Sequence, residues 1–170
     1  MDLRSLIRDV EDFPKEGIVF KDITTVLQDP QGLKYSIEKM QEAISDVEFD
    51  IVIGPESRGF IFGVPLAYNM NKGFVPVRKE GKLPYKTESI KYDLEYGSAT
   101  IEMHVDSIKP GDRVVVIDDL LATGGTSKAM IEVIEKLGGI VVKMVYLIEL
   151  TFLDGRAVIG DYDITSIIQY

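Results

Sequence analysis

The run Val114-Val115-Val116-Ile117-Asp118-Asp119-Leu120-Leu121-Ala122-Thr123-Gly124-Gly125-Thr126-Ser127 decides the reading of this chain. Its first four residues are β-branched without interruption, the pattern of a strand buried on both faces of a parallel sheet. Two adjacent carboxylates, Asp118 and Asp119, follow at the strand's carboxyl end. A turn rich in Gly and Thr then opens a helix that runs to Leu137. Amides at a helix start lack backbone partners and carry partial positive charge, which suits a phosphate. Gly124 and Gly125 let the backbone approach that phosphate, and Thr123, Thr126 and Ser127 add hydroxyl donors. An isolated Asp-Asp usually caps an ordinary strand–turn–helix. Beside a phosphate cradle, the pair makes sense when the ligand is a sugar phosphate, whose hydroxyls the carboxylates accept. The run is not a nucleotide P-loop, because it lacks the Gly-Lys-Ser/Thr ending, nor is it a G-x-G-x-x-G fingerprint.

Outward from this run the chain alternates strand and helix signals. Upstream, Ile51-Val52-Ile53 reads as a strand ending in Gly54-Pro55, Arg58 to Tyr68 as a helix, and Phe74 to Val77 as the next strand. Downstream, Ile140 to Glu149 returns as a strand, and Ile164 to Ile168 adds an edge. This βαβ rhythm predicts an α/β fold, an open, mostly parallel sheet with helices on both faces, which binds ligands at the carboxyl ends of its strands. Leu3 to Val10 reads as a short amphipathic helix, and Asp29-Pro30 opens a helix with Leu33, Ile37, Met40 and Ile44 on one face. Arg78 to Lys91, polar and carrying Gly81 and Pro84, reads as a long mobile loop. A hairpin around Gly97 follows it, from Tyr92 to His104. Asp154-Gly155-Arg156 reads as a turn rather than a site.

The 170 residues, 45% hydrophobic and 28% charged, suit one domain spanning 1–170 with a sizeable core. Cysteine is absent, which excludes disulfides, thiolate catalysis and Cys-ligated metals. The net charge of −9 argues against a nucleic-acid or membrane surface. No apolar run approaches a membrane span, and Met1 to Ser5 lacks the apolar core of a signal peptide. A cytoplasmic protein is the expectation. His104, the only histidine, belongs to no motif and reads as a packing or surface residue.

The Asp118–Ser127 run closely resembles the phosphoribosyl-diphosphate signature of type I phosphoribosyltransferases, and its spelling is that of the adenine-type members. The resemblance covers nearly the whole chain. Phe13-Pro14-Lys15-Glu16-Gly17-Ile18-Val19-Phe20-Lys21-Asp22-Ile23 is similar to the purine-side segment of that family, part of a small N-terminal hood. Gly54-Pro55-Glu56-Ser57-Arg58-Gly59-Phe60 is similar to its diphosphate loop. Arg78 to Pro84 and Tyr92 to Gly97 are similar to its flexible catalytic loop and that loop's end. Lys21 stands where many members carry arginine.

The resemblance implies purine salvage: adenine and phosphoribosyl diphosphate give AMP and diphosphate, in a homodimer. Asp118 and Asp119 would orient the ribose and favour its developing cation. Ala122, Thr123, Gly124, Gly125 and Thr126, with the two aspartates, would hold the phosphoribosyl group. Ser57, Arg58, Gly59, Arg78, Lys79 and Lys82 would take the diphosphate, and the Glu56–Ser57 peptide would be cis. Val19, Phe20 and Lys21 would face the adenine, and Glu95 would act as a catalytic residue at the base or sugar. The implied Mg2+ is held mainly by substrate and water, with no direct protein ligand. Three alternatives stay open at this stage. Another purine phosphoribosyltransferase would take xanthine or a 6-oxopurine; the latter enzymes often place aspartate where Ala122 stands. A non-catalytic regulator would need a DNA-binding module, which is not visible. A receiver-like domain would leave the Thr-Gly-Gly-Thr cradle unexplained.

Overall fold

A computed structural model describes residues 1–94 and 96–170; the reading of Glu95 falls outside the described residues. Seven strands form one sheet: β3 (Ile51–Pro55), β4 (Gly73–Lys79), β5 (Thr87–Asp93), β6 (Ser98–His104), β7 (Arg113–Leu121), β8 (Ile140–Glu149) and β9 (Ile164–Gln169). Their order is β5-β6-β4-β3-β7-β8-β9. The five strands from β4 to β9 run parallel, and the β5–β6 hairpin joins antiparallel at one edge.

The β-branched run explains why β7 lies in the middle. Val114, Val115, Val116 and Ile117 are all fully buried, and successive residues point to opposite faces. Val115 and Ile117 pack with Phe62 and Leu66 of α3 (Arg58–Asn69) and Met40 of α2 (Pro30–Glu42). Val114 and Val116 pack with Met130 and Ile134 of α4 (Gly125–Lys136). The sheet is therefore covered on both faces, which strands without polar alternation require.

Three expectations need correction. Leu3 to Val10 is not one helix: Leu3–Leu6 is a 3-10 turn, and Arg8–Val10 is strand β1. It pairs antiparallel with β2 (Phe20–Asp22), and this non-local pairing overrides the helical spacing of Leu3, Leu6 and Ile7. A short helix α1 (Thr24–Gln28) follows β2 before α2. Arg78 to Lys91 is not one long loop: β4 runs through Lys79 and β5 begins at Thr87, so only residues 80–86 connect them. Asp154-Gly155-Arg156 is not a plain turn. Asp154 stands, with a left-handed backbone, just before α5 (Gly155–Ile159), and Gly155 is buried at its start.

Candidate active site

Three elements end at one cleft of about 450 Å3, and each is placed there by its own sequence. β7 runs through both carboxylates to Leu121, so Asp118 and Asp119 sit within its last turns of pleat. The chain then passes through Ala122 and Thr123 to Gly124, whose φ of 86° is the left-handed conformation that glycine adopts freely. Among the described residues no side chain caps α4, which leaves its first-turn amides to a ligand. Thr123, Gly124, Gly125, Thr126 and Ser127 all line the cleft. The Tyr92 hydroxyl lies 3.2 Å from Thr126 Oγ1.

Across the cleft, β3 ends at Pro55 and α3 starts at Arg58. The Glu56–Ser57 peptide between them is cis. Gly59 is required by packing: a β-carbon there would lie 2.5 Å from Pro55 Cδ, 3.1 Å from the Ile117 carbonyl oxygen and 3.2 Å from Asp118 Oδ1. Hence α3 can start close enough for the Arg58 Nε to donate to Asp119 Oδ2.

The charges in the cleft are closely coupled. The Asp119 amide donates to Asp118 Oδ1 at 2.8 Å, which holds the two carboxylates side by side. Burial, then the Asp119 charge, push the Asp118 carboxyl well above the usual carboxylate range, although Arg58 opposes this. Glu56 gathers the cations opposite. It accepts the Lys79 amide at 2.7 Å, and its Oε2 lies 3.2 Å from Lys82 Nζ. Its Oε1 lies 3.3 Å from Arg78 Nε, a buried atom without a hydrogen-bond partner among the described residues. Burial works against the Glu56 charge, but the Lys79 amide and Lys82 outweigh it and hold its carboxyl below the ordinary value.

Asp118, Asp119, Ala122, Thr123, Gly124, Gly125, Thr126, Ser57, Arg58 and Lys79 thus share one cleft. Arg78 and Lys82 reach its edge through Glu56. Val19, Phe20 and Lys21 do not line it; they approach from the hood, where the Arg58 guanidinium stands 5.7 Å from the Phe20 ring. Phe13 meets Phe20 edge to face at 5.2 Å. The Lys21 ammonium is engaged elsewhere, 2.7 Å from Asp9 Oδ1 and 4.0 Å from the Tyr170 ring centre. Among the described residues β2 pairs with β1 alone. His104 accepts the Tyr85 amide at 3.3 Å, away from the cleft.

Sequence reasoning missed Glu56 and Tyr92 as site residues. Both stood inside quoted motifs, and the only available signal was their position beside cationic or phosphate-binding residues. It also missed the contact of α5 with the Gly124 loop, for which no local signal exists.

The family model of the phosphoribosyl transferase domain matches residues 22–168. An adenine phosphoribosyltransferase from Lachnoclostridium phytofermentans is 60% identical over 99% of this chain and 97% of its own length. The crystal structure of adenine phosphoribosyltransferase from Thermoanaerobacter pseudethanolicus is similar with a TM-score of 0.97 at 53% identity, covering 99% of this chain and 98% of that one. The enzyme from Saccharomyces cerevisiae, complexed with an imino-altritol bisphosphate and adenine, gives a TM-score of 0.91 at 36% identity, covering 97% and 96%. This chain therefore belongs to the phosphoribosyltransferase family and, within it, to the adenine phosphoribosyltransferases.

Proposed function

We propose that this chain transfers the phosphoribosyl group of phosphoribosyl diphosphate to adenine, giving AMP and diphosphate in purine salvage. The observation that carries the reading is the cleft itself, which sets a carboxylate pair and a helix-start phosphate loop opposite Arg58 and Lys79. The reaction is substitution at the anomeric carbon, so positive charge builds on the sugar while diphosphate leaves. Asp118 and Asp119 accept the ribose hydroxyls and electrostatically favour that cation. The Ala122–Thr126 loop holds the 5′-phosphate. Ser57, Arg58, the Gly59 backbone and Lys79 take the diphosphate, with Arg78 and Lys82 released to it from Glu56. Glu95 serves as the proton-handling group at the base.

A divalent cation suits this donor set, because Asp118 and Asp119 offer hard carboxylate oxygens beside the place of the ribose. No group of three or more acidic, His or Cys side chains gathers for a metal among the described residues. On this reading Mg2+ would be held mainly through substrate oxygens and water, where it would offset the charge of the leaving diphosphate. A homodimer in the cytoplasm completes the reading. Family membership supports both features, and no helix among the described residues is long and apolar enough to cross a membrane.

The base is adenine, as in the yeast relative's complex. Backbone groups at Val19 to Lys21 pair with its ring edge and amino group. A 6-oxo group turns that donor into an acceptor, and each buried group left unpaired costs about 1–3 kcal/mol. The test is a product assay with phosphoribosyl diphosphate, Mg2+ and each purine base in turn. AMP formation with a much higher kcat/KM for adenine than for hypoxanthine is expected. Equal values for the two bases would remove the adenine assignment.

A further inference from the structure

The phosphate loop does not hold its shape alone, because the backbone of α5 lies against its outer side. A β-carbon on Gly155 would collide with the Ala122 carbonyl oxygen and lie 3.2 Å from the Gly124 nitrogen. The reverse also holds: a β-carbon on Gly124 would lie 2.5 Å from the Gly155 carbonyl oxygen and 3.1 Å from Val158 Cβ. Two glycines thus meet backbone to backbone. Gly155 is not among the glycines with positive φ, so close approach rather than backbone freedom requires it. No residue of α5 lines the cleft.

Five residues of helix are too few to persist without tertiary support. That support is a fork. Arg156 Nε and Nη2 each donate to a Glu149 oxygen at 2.8 Å, and Nη1 donates to the Ile164 carbonyl at 3.2 Å. Glu149, at the end of β8, is 4% exposed and also accepts Ser166 Oγ of β9 at 2.5 Å. The Arg156 guanidinium holds its carboxyl below the ordinary value, as a settled ion pair should. The fork therefore fixes α5 to the end of β8 and the start of β9, and β8 pairs with β7, whose end carries the cleft.

We propose that Gly155, anchored by the Arg156–Glu149 fork, is a positioning residue that sets the depth of the Ala122–Gly125 backbone and with it the affinity for a 5′-phosphate. The proposal rests on the reading of the Ala122–Thr126 loop as the 5′-phosphate site. It goes beyond that reading in making a residue outside the cleft determine recognition of one end of the substrate. A methyl group at 155 pushes the Ala122 carbonyl and the Gly124 amide together toward the ligand. The diphosphate side, built by β3 and α3, is untouched.

The experiment measures binding of three probes, ribose 5-phosphate, AMP and inorganic diphosphate, by calorimetry in the presence of Mg2+. The proteins are the native chain, Gly155→Ala, Arg156→Lys and Thr126→Val. Gly155→Ala should weaken ribose 5-phosphate and AMP by roughly 10- to 100-fold, the scale of an ångström-sized misplacement, and leave diphosphate binding unchanged. Arg156→Lys adds no atom at the loop but loses the bidentate fork, so it should move the same two ligands in the same direction by less. It carries the test alone if Gly155→Ala does not fold. Native binding of ribose 5-phosphate by Gly155→Ala, with weakened binding by Thr126→Val, overturns the proposal and leaves the loop reading intact. Native binding by both variants overturns the loop reading itself. An equal loss for all three probes makes Gly155 a residue of general stability and also overturns the proposal.

Discussion

Replacing both cleft aspartates, Asp118→Asn with Asp119→Asn, should separate activity from stability in a way that few buried substitutions do. Asp119 has a side chain only 8% exposed and an ion pair to Arg58. Arg58, however, is 45% exposed and keeps much of its hydration when the pair is broken, so the loss to the fold is about 0–1 kcal/mol. The bond from the residue-119 amide survives, because asparagine keeps an acceptor oxygen at 118. What disappears is a contact between like charges beside a carboxyl that burial already penalises. Asp118 has a folded-state pKa raised above its unfolded value, so the native chain loses stability as pH rises from the ordinary carboxylate value toward the raised one. The double variant escapes that loss, and its stability relative to the native chain should improve as pH rises above the ordinary carboxylate value and not below it. Function should move the other way. A ribose hydroxyl bonded to an ionised carboxylate contributes about 1.5–3 kcal/mol, and one bonded to a carboxyl held neutral, as the raised Asp118 favours, about 0.5–1.5 kcal/mol. Together they give about 2–4.5 kcal/mol, or roughly 30- to 2000-fold in kcat/KM for phosphoribosyl diphosphate. The assays are thermal unfolding at neutral and mildly acidic pH, and initial rates of AMP formation. A folded double variant with near-native kcat/KM would refute the ribose assignment.

Three further outcomes concern single residues. Tyr146→Phe removes the 2.7 Å bond from a fully buried phenol to Ser127 Oγ, itself 3% exposed, and should cost about 1–3 kcal/mol in urea unfolding; an unchanged midpoint would show that Ser127 finds another partner. Asp22, lowered to about 2 first by the Thr24 amide and then by Arg8, stabilises the hood above its unfolded pKa, and this contribution is lost as pH falls toward 2. Asp22→Asn should therefore flatten the acid limb of the native chain's stability profile, and an unaltered limb would contradict the linkage. Glu95→Gln, at the end of the loop run Tyr92–Gly97, should lower the single-turnover rate by at least about 10²-fold with little change in affinity for phosphoribosyl diphosphate; an unchanged rate across the pH range would withdraw its catalytic role.

What the sequence made legible was local, and what it concealed depended on distant partners. The β7 run reads correctly because four β-branched residues, two carboxylates and a glycine turn carry their own physics. β5 was concealed by its composition. Only Ile90 and Tyr92 of Thr87–Asp93 are apolar, since this edge strand packs one face against α4 and offers the other to water. The alternation is there, but the polar residues around Gly81 and Pro84 drew the whole segment into the loop. α5 has no strong helical signal of its own, because its stability comes from Glu149, which precedes it by a strand end and a turn. The engagement of the Lys21 ammonium with Asp9 and Tyr170 was equally unreadable, because both partners lie far from it along the chain or in another strand.

The paired charges of the cleft bear on how it would take its substrate. Arg58 lies on Asp119, while Arg78 and Lys82 lie on Glu56, so three of the four cations proposed for diphosphate already have carboxylates within the chain. Binding on the proposed reading is an exchange of partners. When Arg58 moves to diphosphate, Asp119 loses its cation at the place where a ribose hydroxyl arrives to donate to it. One substrate carries both replacements, the anion for Arg58 and the hydroxyl for Asp119. A ligand with only one of them leaves half of the exchange unmet: free diphosphate strips the cation from a largely buried carboxylate, and a bare ribose finds its acceptor still paired. The cost of an unpaired buried charge then makes the two halves bind better together than apart. Discrimination against fragments of the substrate is built into these ion pairs without any further contact to the ligand.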